Sequence, residues 1–294
     1  MAVLFSDLLT SLGAKIGLPD PVGTLSAAIS STTATSMTMA TQAVPLVNGD
    51  IVEIDDELLR VSDVTRGSPN DTFTVDRGVL GSTAATHLID APVARYPKYP
   101  RWQRKHAIND VLTDWVPTKL PRVQVDTSQT FGATSMIVAI PAAATLVLRV
   151  EFKMPGWTWL EKIPHGRPKD YPTALVSTGK GVPLTYPGPA GYTVYTTWAG
   201  PWPALAADTD TLPTDWVFDT DLVAWGAAAM LLEGKQNRRA TFDAAHVQRE
   251  EQQTGQVVTL PKVSAQDCLG YYQQLLTDSM QGWPGARPVL YEEC

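Results

Sequence analysis

The sequence predicts an α+β fold in which two β-regions are bracketed by helices, and three observations predict it. Apolar residues recur at helical spacing within the first 17 residues and again beyond residue 217. Between them, over residues 37–96 and 122–213, the apolar period falls to two, the mark of half-buried strands. Those strands succeed one another through Gly and Pro turns with no long helical pattern between them, which predicts antiparallel meanders and argues against alternating strand and helix. The expected order is an N-terminal helix (1–18), a small β-barrel-like module (19–99), a linking amphipathic helix (100–117), a larger antiparallel β-sandwich region (118–216), a C-terminal helical unit (217–281) and an extended C-terminal arm (282–294).

In the first helix Phe5, Leu8, Leu9, Leu12 and Ile16 form one stripe, and Gly17 with Pro19 ends it. This stretch has no basic region ahead of its apolar residues and carries Asp7, so it reads as a helix and not as a targeting segment. Pro19 to Ser36, rich in Ser, Thr, Gly and Pro, reads either as a linker or as the entry strand of the barrel, the favoured reading being a linker that passes into a strand at Thr35 to Met39. Asp50 to Ile54 and Leu58 to Val64 alternate apolar and polar residues, with Asn48-Gly49 supplying a tight turn. Glu53, Asp55, Asp56 and Glu57 sit at the corner between these strands, where a solvated turn is expected. A second strand pair, Thr72 to Asp76 with Pro92 to Tyr96, is expected to be linked through Arg77-Gly78 and Gly81-Ser82-Thr83.

Pro100 opens the amphipathic helix, whose Ile108, Val111, Leu112 and Trp115 form a stripe that stops at Pro117. The second β-region reads as VQVDTSQTF, SMIVAI, TLVLRVEFKM, TALVST and GYTVYTTW, joined by Gly-Pro loops. Beyond it, Asp219 or Thr220 caps a helix through Leu232 whose Gly226 to Ala229 permit close backbone approach. A polar helix is expected over Arg239 to Thr254. A third, opened by Ser264 and Asp267 as a capping-box variant, sets Cys268, Leu269, Tyr272, Leu275 and Leu276 on one side.

Composition narrows the function. The 294 residues are 44% hydrophobic, and 30 acidic against 23 basic residues leave a net charge of −7, which argues against a chain whose main work is gripping nucleic-acid phosphates. Two cysteines, Cys268 and Cys294, suit a reducing compartment, and the longest apolar run, Val223 to Leu232, is about half of what a bilayer requires. There is no Gly-x-Ser-x-Gly elbow, no His-Glu-x-x-His and no Cys-x-x-Cys, so neither a nucleophilic triad nor a zinc site is indicated, and no cofactor is expected. His87 is expected to bond local backbone, and His106, His165 and His246 are isolated. Trp157, Trp159, Trp198 and Trp202, with Tyr186, Tyr192 and Tyr195, have faces that suit sugar rings, although core or subunit interface is the weightier reading. Arg95, Lys98, Arg101, Arg104 and Lys105 make the densest positive patch, read as a solvated helix face or, through Arg101, Arg104 and Lys105, as a contact for DNA or an acidic partner.

Several blocks carry a resemblance. GDIVEIDDELLRV, TFTVDRGVLGSTAATH and APVARYP in the small module, then PRWQRKHAINDVLTDWVP, then DLVAWGAAAMLLEGKQNRR and SAQDCLGYYQQLLTDSM, resemble in that order head-to-tail connector (adaptor) proteins of long-tailed bacteriophages. The resemblance spans about half of the chain, and the region 118–216 departs from it. It implies a non-enzymatic virion protein of a siphovirus neck, made in the host bacterial cytoplasm: a homo-oligomeric ring, a dodecamer, that copies the symmetry of the portal protein. Its expected partners are the portal, the next neck ring (stopper) or a tail terminator, further copies of itself, and genomic DNA sliding past without sequence-specific binding, with no membrane involved. The arm residues Trp283, Pro288, Leu290 and Tyr291 are the expected anchors on the portal or a neighbouring chain, and Arg249, Glu250 and Glu251 the expected channel or subunit contacts. The alternative is a minor tail, collar or baseplate protein with a receptor- or carbohydrate-binding β-module.

Overall fold

The structure, a computed structural model, describes residues 3–17, 21–41, 45–97, 99–132, 136–233 and 264–282. It is α+β, and the chain divides into two compact units, one of residues 1–109 with 205–273 and the other of residues 110–204 with 274–294.

The first unit opens with α1 (Phe5–Ile16). The Leu4 backbone N–H donates to the Asp7 carboxylate at 3.1 Å, satisfying a free donor of the first turn, and Gly17 closes the helix with a left-handed φ of 63°. Phe5, Leu8, Leu9, Leu12 and Ile16 are all buried, as the stripe predicts.

Six strands follow, β1 (Gly23–Thr24), β2 (Ser36–Ala40), β3 (Ile51–Ile54), β4 (Glu57–Thr65), β5 (Asn70–Asp76) and β6 (Pro92–Arg95), in the antiparallel order β1-β6-β3-β4-β5-β2. A bridge between Leu25 and Met39, with the Ser26 N–H donating to the Thr38 carbonyl at 2.8 Å, joins the two edges and makes the sheet barrel-like. Met37, Met39, Leu59, Val61, Phe73 and Val75 alternate inward and fill the interior, which is what period two along each strand requires.

Two expectations are corrected here. The segment before β2 is more than a linker, because β1, Leu25 and Ile29 belong to the barrel and its core. The second pair of strands is not a pair: β5 bonds to β4 and β2, while β6 bonds to β3 and β1. Period two marks a strand without naming its neighbour.

α2 (Arg101–Asp110) begins in this unit and runs on through a π-helical turn at Val111–Trp115 and a 3-10 turn at Val116–Thr118, so the expected helix is present with a widened end. Ile108, Val111 and Leu112 are fully buried and Trp115 half so. The chain returns to the first unit at Leu205 and forms α3 over residues 221–233. The Asp219 carboxylate accepts the Asp221 N–H at 2.9 Å, as a cap should, and the small residues Ala224, Ala227 and Ala228 are buried.

α4 (Ala265–Gly282) starts with a reciprocal cap: Asp267 accepts the Ser264 N–H at 2.9 Å, and Ser264 Oγ accepts the Asp267 N–H at 3.1 Å. Cys268 and Tyr272 are buried, whereas Leu269 lies on the exposed side, against expectation. A Lys15–Asp221 ion pair and a Trp225–Tyr271 ring stack connect α1, α3 and α4.

The second unit holds β7 (Arg122–Thr130), β8 (Ile137–Ala139), β9 (Leu146–Phe152), β10 (Glu161–Lys162), β11 (Lys169–Asp170), β12 (Lys180–Pro183) and β13 (Thr193–Gly200). One sheet runs β10-β9-β13-β7 and the other β11-β12-β8, and both contribute to one core, Val147, Val150, Phe152 and Trp198 from the first meeting Val138 and Val182 from the second. Residues 173–178, read as a strand, form turns instead, with Val176 the one buried residue among them. Trp202 is buried and donates its indole N–H to the Leu120 carbonyl at 2.9 Å.

The expected helix 239–254, with Arg249, Glu250 and Glu251, and the arm residues Trp283, Pro288, Leu290 and Tyr291 lie outside the described residues. Among the described residues no helix is long and apolar enough to cross a membrane.

Candidate functional site

The acidic corner is the best-organised polar site of the first unit. β3 and β4 are joined by a two-residue turn at Asp55-Asp56, with Asp55 at a φ of 53°, a left-handed conformation that a short polar side chain tolerates. The turn divides its four acids between two sets of partners.

Glu53 and Asp56 meet α2. Glu53 accepts the backbone N–H of Arg101, at the positive end of the helix, and the Arg104 guanidinium at 3.0 Å. Asp56 lies 2.5 Å from Lys105 Nζ and 3.3 Å from Arg101 Nε. Asp208, from the segment that returns at Leu205, lies 2.6 Å from Arg101 and 3.0 Å from Lys105. Burial pushes the Glu53 carboxyl up and the Arg104 guanidinium down, because each charge has left water. For Asp208 burial raises the carboxyl, but the bonds from Lys105 and Arg101 outweigh it and hold the group below the usual carboxylate range.

Arg101, Arg104 and Lys105 are therefore not a solvated face, and their charges are met by Glu53, Asp56 and Asp208 of the same chain.

Asp55 and Glu57 turn to the loop between β5 and β6. His87 is fully buried, with Nδ1 2.8 Å from Asp55 Oδ2 and Nε2 2.8 Å from Glu57 Oε2, so it does not rest on local backbone alone as expected. Glu57 also accepts the Arg77 guanidinium at 2.7 and 2.6 Å, the Gly78 N–H at 3.0 Å and the Ala85 N–H at 2.9 Å. Burial raises Glu57, and these donors outweigh it and hold the carboxyl at about 2. Burial lowers the imidazole, and Asp55 and Glu57 outweigh that in turn, so His87 sits above its ordinary 6.5. The corner expected to be a solvated turn is thus half interior.

Both imidazole nitrogens are engaged by carboxylates, and of the two Glu57 is itself held by Arg77 and by two backbone N–H groups. Among the described residues no cluster of His, Cys, Asp and Glu could hold a metal ion. The Cys268 thiol is pushed up by burial, away from the thiolate that nucleophilic work needs.

The aromatic residues of the second unit separate into two groups. Trp198 and Trp202 are buried, while Trp159 is 59% exposed and stands 4.9 Å from Trp157 on the β9–β10 loop. An aromatic surface, if used, is the second pair.

No protein-family model, no curated protein and no solved structure matches this chain.

Two participants escaped the sequence reading. Asp208 has no signal in its own neighbourhood that points to residue 101, 107 positions earlier. Arg77, read as a turn residue, anchors Glu57. Its clue is a cation and a histidine flanking a Gly-rich loop downstream of an acidic corner, a pattern that only a hairpin register turns into contact.

Proposed function

We propose that this chain is a non-enzymatic virion structural protein, a head-to-tail connector that forms a dodecameric ring under a portal and joins capsid to tail around the DNA channel. One observation carries the reading. The blocks that resemble connector proteins are scattered from residue 49 to residue 280, yet most of their length falls within one compact unit, residues 1–109 with 205–273. Most of the departing region 118–216 falls in the other unit. The resemblance is thus coherent in space, as it would be if it reported one assembly module carrying a separate sandwich.

The site chemistry supports the same reading. A corner that neutralises its own basic helix makes a stiff module, and the chain's negative charge would let DNA slide past instead of holding it. In this reading α4 leads directly into the arm, whose Trp283, Pro288, Leu290 and Tyr291 would enter a groove or add to a sheet edge of the portal. The test is co-purification with a portal ring from the same virion. Full-length chain is expected to remain bound through gel filtration, and chain lacking residues 282–294 to elute as a folded monomer. Equal retention of both would overturn the role given to the arm.

A second reading, a tail or baseplate protein that binds carbohydrate, is favoured by one feature, the Trp157–Trp159 pair, in which Trp159 is exposed and Trp157 half-buried. Binding to cell-wall sugar that is lost on Trp159→Ala with the fold intact would establish it, and the buried Trp198 and Trp202 would take no part.

A further inference from the structure

Residues 78–90, between β5 and β6, are held in an unusual way. His87 is the one buried residue among them, and Leu80, Leu88 and Ile89 are 72%, 79% and 56% exposed. No apolar burial fixes this loop, so its order rests on polar anchors: the Glu57 carboxylate, which collects Arg77, Gly78, Ala85 and His87, the short backbone bridge between His87 and Ile29, and Ser82 bonded to Leu58.

We propose that Asp55, Glu57, Arg77 and His87 form a protonation-controlled latch, which keeps the 78–90 loop closed on the barrel while His87 is an imidazolium and releases it when the ring is neutral. A neutral imidazole has one N–H, yet each ring nitrogen faces a different carboxylate oxygen at 2.8 Å. Only the doubly protonated ring donates to both. On loss of a proton, one nitrogen lone pair is left against a carboxylate lone pair at a buried position, an arrangement that is expensive to keep.

The surroundings determine which part yields. From the β3–β4 turn and β4, Asp55 and Glu57 face the ring, and Asp56 turns away to α2. From the end of β5, Arg77 reaches Glu57 and the carbonyls of Ser31, Ala34 and Ala85. Arg101 and Asp208 act on Asp55 from further away with opposite signs, and the segment ahead of β2 bonds the His87 backbone at Ile29. Glu57 keeps Arg77 when His87 lets go. The barrel strands retain their core, and the loop, with no core of its own, opens. The apolar residues it carries would then be presented in a different way above the His87 pKa than below it. The latch goes beyond the connector reading and stands or falls without it.

The test uses the full chain, with His87 followed by NMR between about pH 5 and 9 and amide hydrogen exchange resolved along the sequence and corrected for intrinsic rates. His87 is expected to titrate above 6.5, with protection of residues 78–89 falling about tenfold or more across that titration while β2 to β5 keep theirs. Asp55→Asn, at a half-exposed position, is expected to bring both midpoints down together. Titration at or below 6.5, loop protection indifferent to pH, equal loss in loop and barrel, or unmoved midpoints in the variant would each overturn the latch. If the variant does not fold, the wild-type titration decides alone.

Discussion

Glu53 Oε2 and Arg104 Nη2 lie 3.0 Å apart, with the side chains 7% and 14% exposed, so the most acidic and the most basic runs of the chain meet in its interior. A buried pair of this kind contributes little over an apolar pair of the same shape, because desolvation offsets much of the attraction, but removing one partner strands the other. Here it ties α2 to the β3–β4 hairpin.

Glu53→Gln is accordingly expected to destabilise the first unit by about 3 kcal/mol, since Arg104 is left charged and buried. Asp56→Asn, at a turn carboxylate that is half exposed, is expected to cost under about 1 kcal/mol. Urea unfolding of the two variants beside wild type checks the order, and equal costs would contradict it.

Charge reversal separates the seam from a DNA contact. Arg101→Glu with Arg104→Glu sets two new carboxylates against Glu53, Asp56 and Asp208, and the first unit is expected to lose its fold, visible as loss of near-ultraviolet circular dichroism. A well-folded double variant with weakened DNA binding would restore the DNA-facing reading.

The pH dependence has two sides. Glu57 is depressed from 4.5 to about 2, so its contribution is complete above 4.5 and is lost as pH falls from there through about 2. His87 is raised above 6.5, so its contribution is complete below 6.5 and is lost as pH rises through its folded value. Thermal unfolding followed against pH is expected to show greatest stability between 4.5 and 6.5 from these two groups, and in His87→Gln the alkaline loss should shrink.

Trp202→Phe leaves the Leu120 carbonyl without its donor at a buried position and is expected to cost about 1–3 kcal/mol. Trp159→Ala removes an exposed ring and is expected to change stability by no more than about 0.5 kcal/mol. Parallel urea titrations distinguish the two positions, and a large cost at Trp159 would mean that its ring is covered in solution.

The legible parts of the fold were those whose cause is local. α1 follows from five apolar residues at helical spacing and a glycine able to take a positive φ, and α4 from Ser264 and Asp267 three residues apart. β2 to β5 follow from period two. Their neighbours do not, because β6 leaves β5 and crosses to β3, a choice made by closure of the barrel. The site was legible as charge and not as pairing: Glu53 and Arg104 are 51 residues apart, and each reads as a surface until the hairpin and helix are docked. His87 looked local for the same reason, its two carboxylates lying 32 and 30 positions upstream.

The central proposal is tested most directly by negative-stain images of the full chain with and without a portal ring from the same virion. A monomer alone and a twelve-fold layer added beneath the portal is the predicted result. A chain that leaves the portal undecorated, or that assembles only on cell-wall material, would contradict it.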